Sequence, residues 1–145
     1  MAGAIVPFMV DASNEKNAHI QNRLEEASII WMTTVTPAGQ PQSAPVWYVW
    51  QDGEFLVYSL NSARVRNIRT NAKVSLHLSD KGNGDEIVVA YGLAKTDPGA
   101  GPASANTAYT ERYNTALTNY QWTWEYFDST YKAPLRIKPD RFLSW

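Results

Sequence analysis

Two short turns constrain this chain more than any other feature, because they leave no room for a crossover helix. Pro37-Ala38-Gly39-Gln40 separates two runs rich in strand-forming residues, and Asp52-Gly53 separates the second run from a third. Proline fixes φ at the first corner of a turn and glycine accepts positive φ, so the chemistry of the first segment is that of a turn. Asp-Gly is a dipeptide favoured by two-residue hairpins. Parallel neighbours need a dozen or more connecting residues. Ser28–Thr36, Gln42–Trp50 and Glu54–Leu60 are therefore predicted to be antiparallel strands in sequence order.

The flanking segments fit the same plan. Ser13 can cap a helix running to about Ala27, with Ile20, Leu24 and Ala27 on one stripe. Asn61 or Ser62 is placed to cap a short helix, ARVRNIRTNA, and Lys73–Ser79 alternates as a strand with Val74, Leu76 and Leu78 on one face. After the loop Gly82-Asn83-Gly84, Glu86–Thr96 reads as a long strand, and Gly92 within it marks a bend or bulge. Pro98–Pro102 is a loop, Ala103–Leu117 is predicted helical, and the aromatic segment Tyr120–Tyr131 fits a further helix. The closing PLRIKPDRFLSW reads as one or two strands broken at Pro139. The pattern predicts one domain over residues 1–145, mainly β with helical decoration, in an α+β barrel.

Composition removes whole classes of chemistry. The chain has no cysteine and only two histidines, His19 and His77, so cysteine-ligated zinc, iron–sulfur clusters and thiol nucleophiles are excluded. No metal site is expected. A net charge of −1 argues against a nucleic-acid-coating protein. The first residues lack a basic n-region and no apolar run reaches spanning length, so a cytoplasmic protein with no membrane partner is expected. Nucleophile elbows, Walker loops and GxGxxG are all missing from the sequence.

Three groups of residues remain that can carry chemistry. Ser59 ends a strand, and Asn61-Ser62-Ala63-Arg64 opens a helix with three arginines, Arg64, Arg66 and Arg69. Free N–H groups at a helix start, joined by an arginine fork, suit a phosphate. A solvated amphipathic helix with Val65 and Ile68 inside accounts for the same residues. Pro45-Val46-Trp47-Tyr48-Val49-Trp50 places large aromatics on both strand faces, which suits a core plus either a subunit interface or a planar ligand. Trp122, Trp124, Tyr126 and Phe127 are packing residues or a lid over a ring.

Together these segments resemble the pyridoxamine 5'-phosphate oxidase-like split β-barrel flavoproteins, above all the branch that uses coenzyme F420, a deazaflavin. The resemblance rests on TTVTPAGQPQSAPVWYVW, GEFLVYS, SARVRNIRTNAKVSLHLS, VVAYGLAKT and the closing PDRFLSW. It covers nearly the whole chain. It implies an FMN-binding-like split barrel, a homodimer with cofactor sites at the interface, and hydride transfer to or from a small organic substrate. By the same resemblance, Ser59 and Arg64 hold the cofactor phosphate, and Leu60, Ala63 and Asn67 line that turn. The ring lies by Pro45, Val46 and Trp47, and the Trp122–Phe127 region closes the site from the partner chain. Coenzyme F420 is the expected cofactor. FMN is the alternative, as is a carrier without chemistry of its own. No catalytic residue is assigned. The chain departs from some relatives at Asp85-Glu86-Ile87, where they carry an aromatic cofactor contact.

Overall fold

The short turns form where the sequence places them. In a computed structural model describing residues 4–7 and 15–145, Asp52 and Gly53 both take positive φ, 53° and 75°. That is the type I′ geometry whose twist matches a hairpin's strands. The elements run β1 (Ala4–Pro7), α1 (Glu15–Glu26), β2 (Ile30–Val35), β3 (Pro41–Val46), β4 (Val49–Gln51), β5 (Glu54–Ser59), α2 (Ala63–Thr70), β6 (Lys73–His77) and β7 (Val88–Thr96). Two short 3₁₀ turns then lead to α3 (Thr107–Asn119), α4 (Trp124–Thr130) and β8 (Ala133–Ser144). Ser13, the expected cap, lies outside the described residues.

The strands form one eight-stranded antiparallel sheet in the order β3-β2-β6-β7-β8-β5-β4, with β1 added beside β8. The sheet curls, and its two ends are neighbours in sequence. β3 and β4 terminate the path on opposite sides, yet Trp47 and Tyr48 alone join them. The single strand expected over Gln42–Trp50 is thus broken at a corner. Tyr48 holds that corner: its N–H donates to the Tyr113 hydroxyl at 2.8 Å, and its own hydroxyl donates to the Leu24 carbonyl at 2.5 Å.

Two apolar layers flank the sheet. Tyr48, Phe55, Val57, Leu76, Ala90, Leu135 and Ile137 fill the inside with α1 and α2 residues such as Leu24 and Val65. Val49, Leu56 and Tyr58 pack on the other side against Tyr109, Tyr113, Leu117 and Phe127 of α3 and α4. Bulky residues on both faces of Pro45–Trp50 are therefore accounted for within one chain. They do not by themselves require a partner subunit.

β8 is continuous through Pro139, contrary to the expected break. Pro139 stands opposite Gly92, and the register shift between Tyr91 and Gly92 leaves Asp140 as the extra residue on β8, so the strand runs past the proline through a bulge. A Cβ on Gly92 would stand 2.3 Å from the Lys138 carbonyl oxygen. The Gly92 expectation of a bulge holds. Helix α3 starts later than Ala103, because the side chain of Asn106 caps it by accepting from the Tyr109 N–H.

Candidate functional site

Helix α2 opens beside the end of β5 because Ser59, Leu60, Asn61 and Ser62 turn the chain directly from strand into helix. Ser62 takes the N-cap position with extended backbone, but its hydroxyl makes no capping bond. The first N–H groups of α2 therefore lack that side-chain acceptor. Arg64, in the first turn, is half-buried and donates from Nη1 to Ser59 Oγ at 2.9 Å. Among the described residues no carboxylate lies within ion-pair distance of Arg64. Burial pulls its pKa down from the usual arginine value. The guanidinium remains charged, and an anion is the partner it lacks.

Arg64 and Ser59 line a cavity of about 340 Å³. Pro45, Val46 and Trp47 line it from the β3–β4 corner, and Tyr58 and Leu60 from β5 and the residue after it. The rest of its wall is aromatic: Tyr109, Tyr120, Trp122, Phe127 and Tyr131. Trp47 lies flat on Tyr113 with ring centres 4.5 Å apart and planes within 2°. Phe127 stacks on it at 5.7 Å. The cavity is within the size range of cofactor sites.

Six of the eight expected contact residues, Pro45, Val46, Trp47, Ser59, Leu60 and Arg64, meet in this cavity. Ala63 lines a neighbouring one of about 170 Å³ with Ser62, Thr34 and Gln42, and Arg64 borders both. Asn67 differs. It is buried, and its Nδ2 donates to Thr34 Oγ1 and Gln42 Oε1, both at 3.0 Å. It ties α2 to β2 and β3 instead of lining the cavity. Trp122 and Phe127, expected from the partner chain, close the cavity from the same chain. Asp85 and Glu86 line neither cavity; Glu86 sits 3.4 Å from His19 and its carbonyl accepts from Arg23.

Tyr120 and Tyr131 were not among the expected contacts. Tyr120 and Trp122 are set by the end of α3, where Trp122 N–H bonds to the Leu117 carbonyl and Gln121 N–H to that of Thr118. This is a Schellman motif. Gln121 sits at its left-handed position with φ 60°, where glycine would have announced the helix end.

The aromatic wall and the Arg64 guanidinium fit a planar ring carrying a phosphate, and comparison with known proteins agrees with the fold. No curated protein matches the sequence. Among solved structures, an F420 reductase aligns at 20% identity over 84% of this chain and 94% of its own, with a TM-score of 0.61. A FAD-binding protein from Mesorhizobium loti aligns at 14% identity over 100% of both chains, TM-score 0.58. The heme storage protein HutZ from Vibrio cholerae aligns at 14% identity over 87% of this chain and 91% of its own, TM-score 0.56. At such identities these likenesses establish the fold alone. The sequence pattern of pyridoxamine 5'-phosphate oxidase, however, matches residues 17–141, which span both the curled sheet and the Ser59–Arg64 turn. By that match the chain belongs to the pyridoxamine 5'-phosphate oxidase family.

Proposed function

We propose that the cavity holds a flavin-type ring cofactor by its phosphate, coenzyme F420 in the first place and FMN as the alternative, and that the protein is an oxidoreductase. The carrying observation is Arg64: a half-buried guanidinium with a hydroxyl partner and no acid among the described residues, in the lining of an aromatic cavity. When bound, such a ring supplies hydride transfer. The chain's own part is binding and exclusion of water. Arg64, Ser59 Oγ and the first N–H groups of α2 meet the phosphate charge, while Trp47, Trp122 and Tyr131 line the space for the ring. Among the described residues the lining contains no carboxylate and no imidazole, so Ser59 Oγ and the tyrosine phenols are its proton-bearing oxygens. Burial raises the pKa of Tyr131, which keeps that phenol protonated.

The F420 reductase and the FAD-binding protein support this reading by fold. The heme storage relative suggests a different ligand, but neither His19 nor His77 lines the cavity. His77 instead stacks on Trp31 at 6.3 Å. That pair lies on the sheet face shared with exposed Pro45 of β3, the open edge of the sheet path. We place the contact of a homodimer there, and light scattering that shows a monomer at micromolar concentration contradicts it. Parallel titrations of the purified protein with FMN and with coenzyme F420 test the cofactor. Saturable binding of either supports the reading, the tighter one names the cofactor, and no binding of either rejects it.

A further inference from the structure

The aromatic wall does not stop at the cavity. Trp47 and Trp122 both line it, with ring centres 6.4 Å apart, and Trp122 lies 5.0 Å from Tyr120 and 5.3 Å from Tyr126. Tyr120 is 61% exposed and Tyr126 45%. In the other direction Trp47 stacks on Tyr113, which leads to Tyr109 at 5.0 Å. Both of those tyrosines are buried.

Indole and phenol rings give up single electrons readily, and a cysteine-free chain offers no thiol to compete with them. A phenol is oxidised easily only when its proton leaves with the electron. Among the described residues, the buried Tyr109 hydroxyl has no hydrogen-bond partner, and that of Tyr113 has only carbonyl oxygens to donate to, those of Ser28 and Tyr48. Burial holds both phenols in their protonated form. Tyr120 and Tyr126 stand in water, which takes their protons. The two branches from Trp47 are therefore unequal: the inner one is closed to charge, and the outer one is open.

We propose that Trp47, Trp122, Tyr120 and Tyr126 form a relay that carries one-electron oxidising equivalents from the cavity to the protein surface. Trp122, directly or through Trp47, gives one electron to an organic peroxyl radical in the cavity, which takes a proton from water and leaves as the hydroperoxide, and becomes an indole radical cation. Tyr120 or Tyr126 returns one electron to it and releases the phenolic proton to water. The surface phenoxyl radical then takes a hydrogen atom from a soluble thiol, which restores the phenol and leaves a thiyl radical in solution. The relay's purpose rests on the redox reading of the cavity; the path itself needs no bound cofactor.

The test accordingly uses the protein alone. Azide radicals made by pulse radiolysis oxidise indoles, and the transient spectrum follows the charge from indole to phenol. In the wild type the indole signal is expected to decay into a phenoxyl signal at a rate independent of protein concentration. The Tyr120→Phe/Tyr126→Phe variant keeps both rings and should lose most of the phenoxyl signal while its indole signal persists. Tyr109→Phe, which removes an unbonded buried hydroxyl, should behave as wild type. Circular dichroism confirms that each variant is folded. An undiminished phenoxyl yield in the double variant overturns the relay, and so does a yield lost through Tyr109→Phe. Neither result bears on whether a flavin-type ring binds, which the titrations decide separately.

Discussion

Arg64 and Arg69 lie on the same short helix, but their surroundings give them different work. Arg64 is half-buried against Ser59 in the cavity's lining, whereas Arg69 is exposed and borders a separate cavity of about 550 Å³ with Asp128 and Lys132. A charge-assisted bond to phosphate is worth roughly 1.5–3 kcal/mol, or about one to two decades of affinity. Arg64→Ala should weaken cofactor binding by that amount and Arg69→Ala by much less, as paired fluorescence titrations would read. Equal, small losses would mean that the basic helix is only a solvated face. The sequence makes Ser59 and Arg64 visible because the strand end and helix start are adjacent and both carry anion-binding groups. Asn67 is harder to read. A carboxamide near a helix start serves a ligand or its own chain equally well, and only the fold shows Thr34 and Gln42 taking its N–H groups.

Elements bounded by turn chemistry are the ones the sequence reveals. β5, β6 and α2 end within a residue or two of their expected limits, because Asp-Gly, alternation and a polar helix start are local signals. Elements shaped by tertiary contact are not legible in this way. The break of Gln42–Trp50 at Trp47 and Tyr48 depends on Tyr113, whose hydroxyl comes from a distant helix. The continuity of β8 through Pro139 depends on the bulge opposite Gly92 in the ladder. That bulge gives a stability prediction. Gly92→Ala sets a methyl carbon 2.3 Å from the Lys138 carbonyl oxygen, a backbone atom, so strands must part. The cost should be about 2–3 kcal/mol by denaturant unfolding. The opposite sign is expected at the end of α3. Left-handed backbone costs an ordinary residue roughly 1–2 kcal/mol, part of which glycine's greater unfolded-state freedom offsets. Gln121→Gly should stabilise by about 0.5–1 kcal/mol, and a fall in melting temperature would contradict the Schellman assignment.

For the molecule as a whole, the buried tyrosines define an alkaline limit. Burial pushes the Tyr48 pKa up to about 12, and those of Tyr109 and Tyr113 also rise. The fold favours the protonated phenols, so their stabilising effect is complete below the unfolded-chain pKa of about 10. It is lost as pH rises toward the Tyr48 value of about 12. Tyr48 alone accounts for about 3 kcal/mol over that interval. The tyrosinate absorbance of Tyr48, read as the difference between the wild type and Tyr48→Phe, should therefore appear above about pH 10 together with the loss of circular dichroism, as unfolding exposes that phenol. Ionisation of Tyr48 with the fold intact, read as that same difference, would contradict the burial of its hydroxyl.

Whether Arg64 and the start of α2 anchor a ring cofactor by its phosphate is decided by comparing each cofactor with its phosphate-free form. Calorimetric titration should show FMN or coenzyme F420 saturating the protein and the corresponding form without phosphate binding about one to two decades more weakly. The Arg64→Ala variant should shrink that difference, leaving the share of Ser59 Oγ and the α2 N–H groups. If the phosphate-free ring binds the wild type as tightly as the intact cofactor, the anchor assigned to Arg64 is wrong.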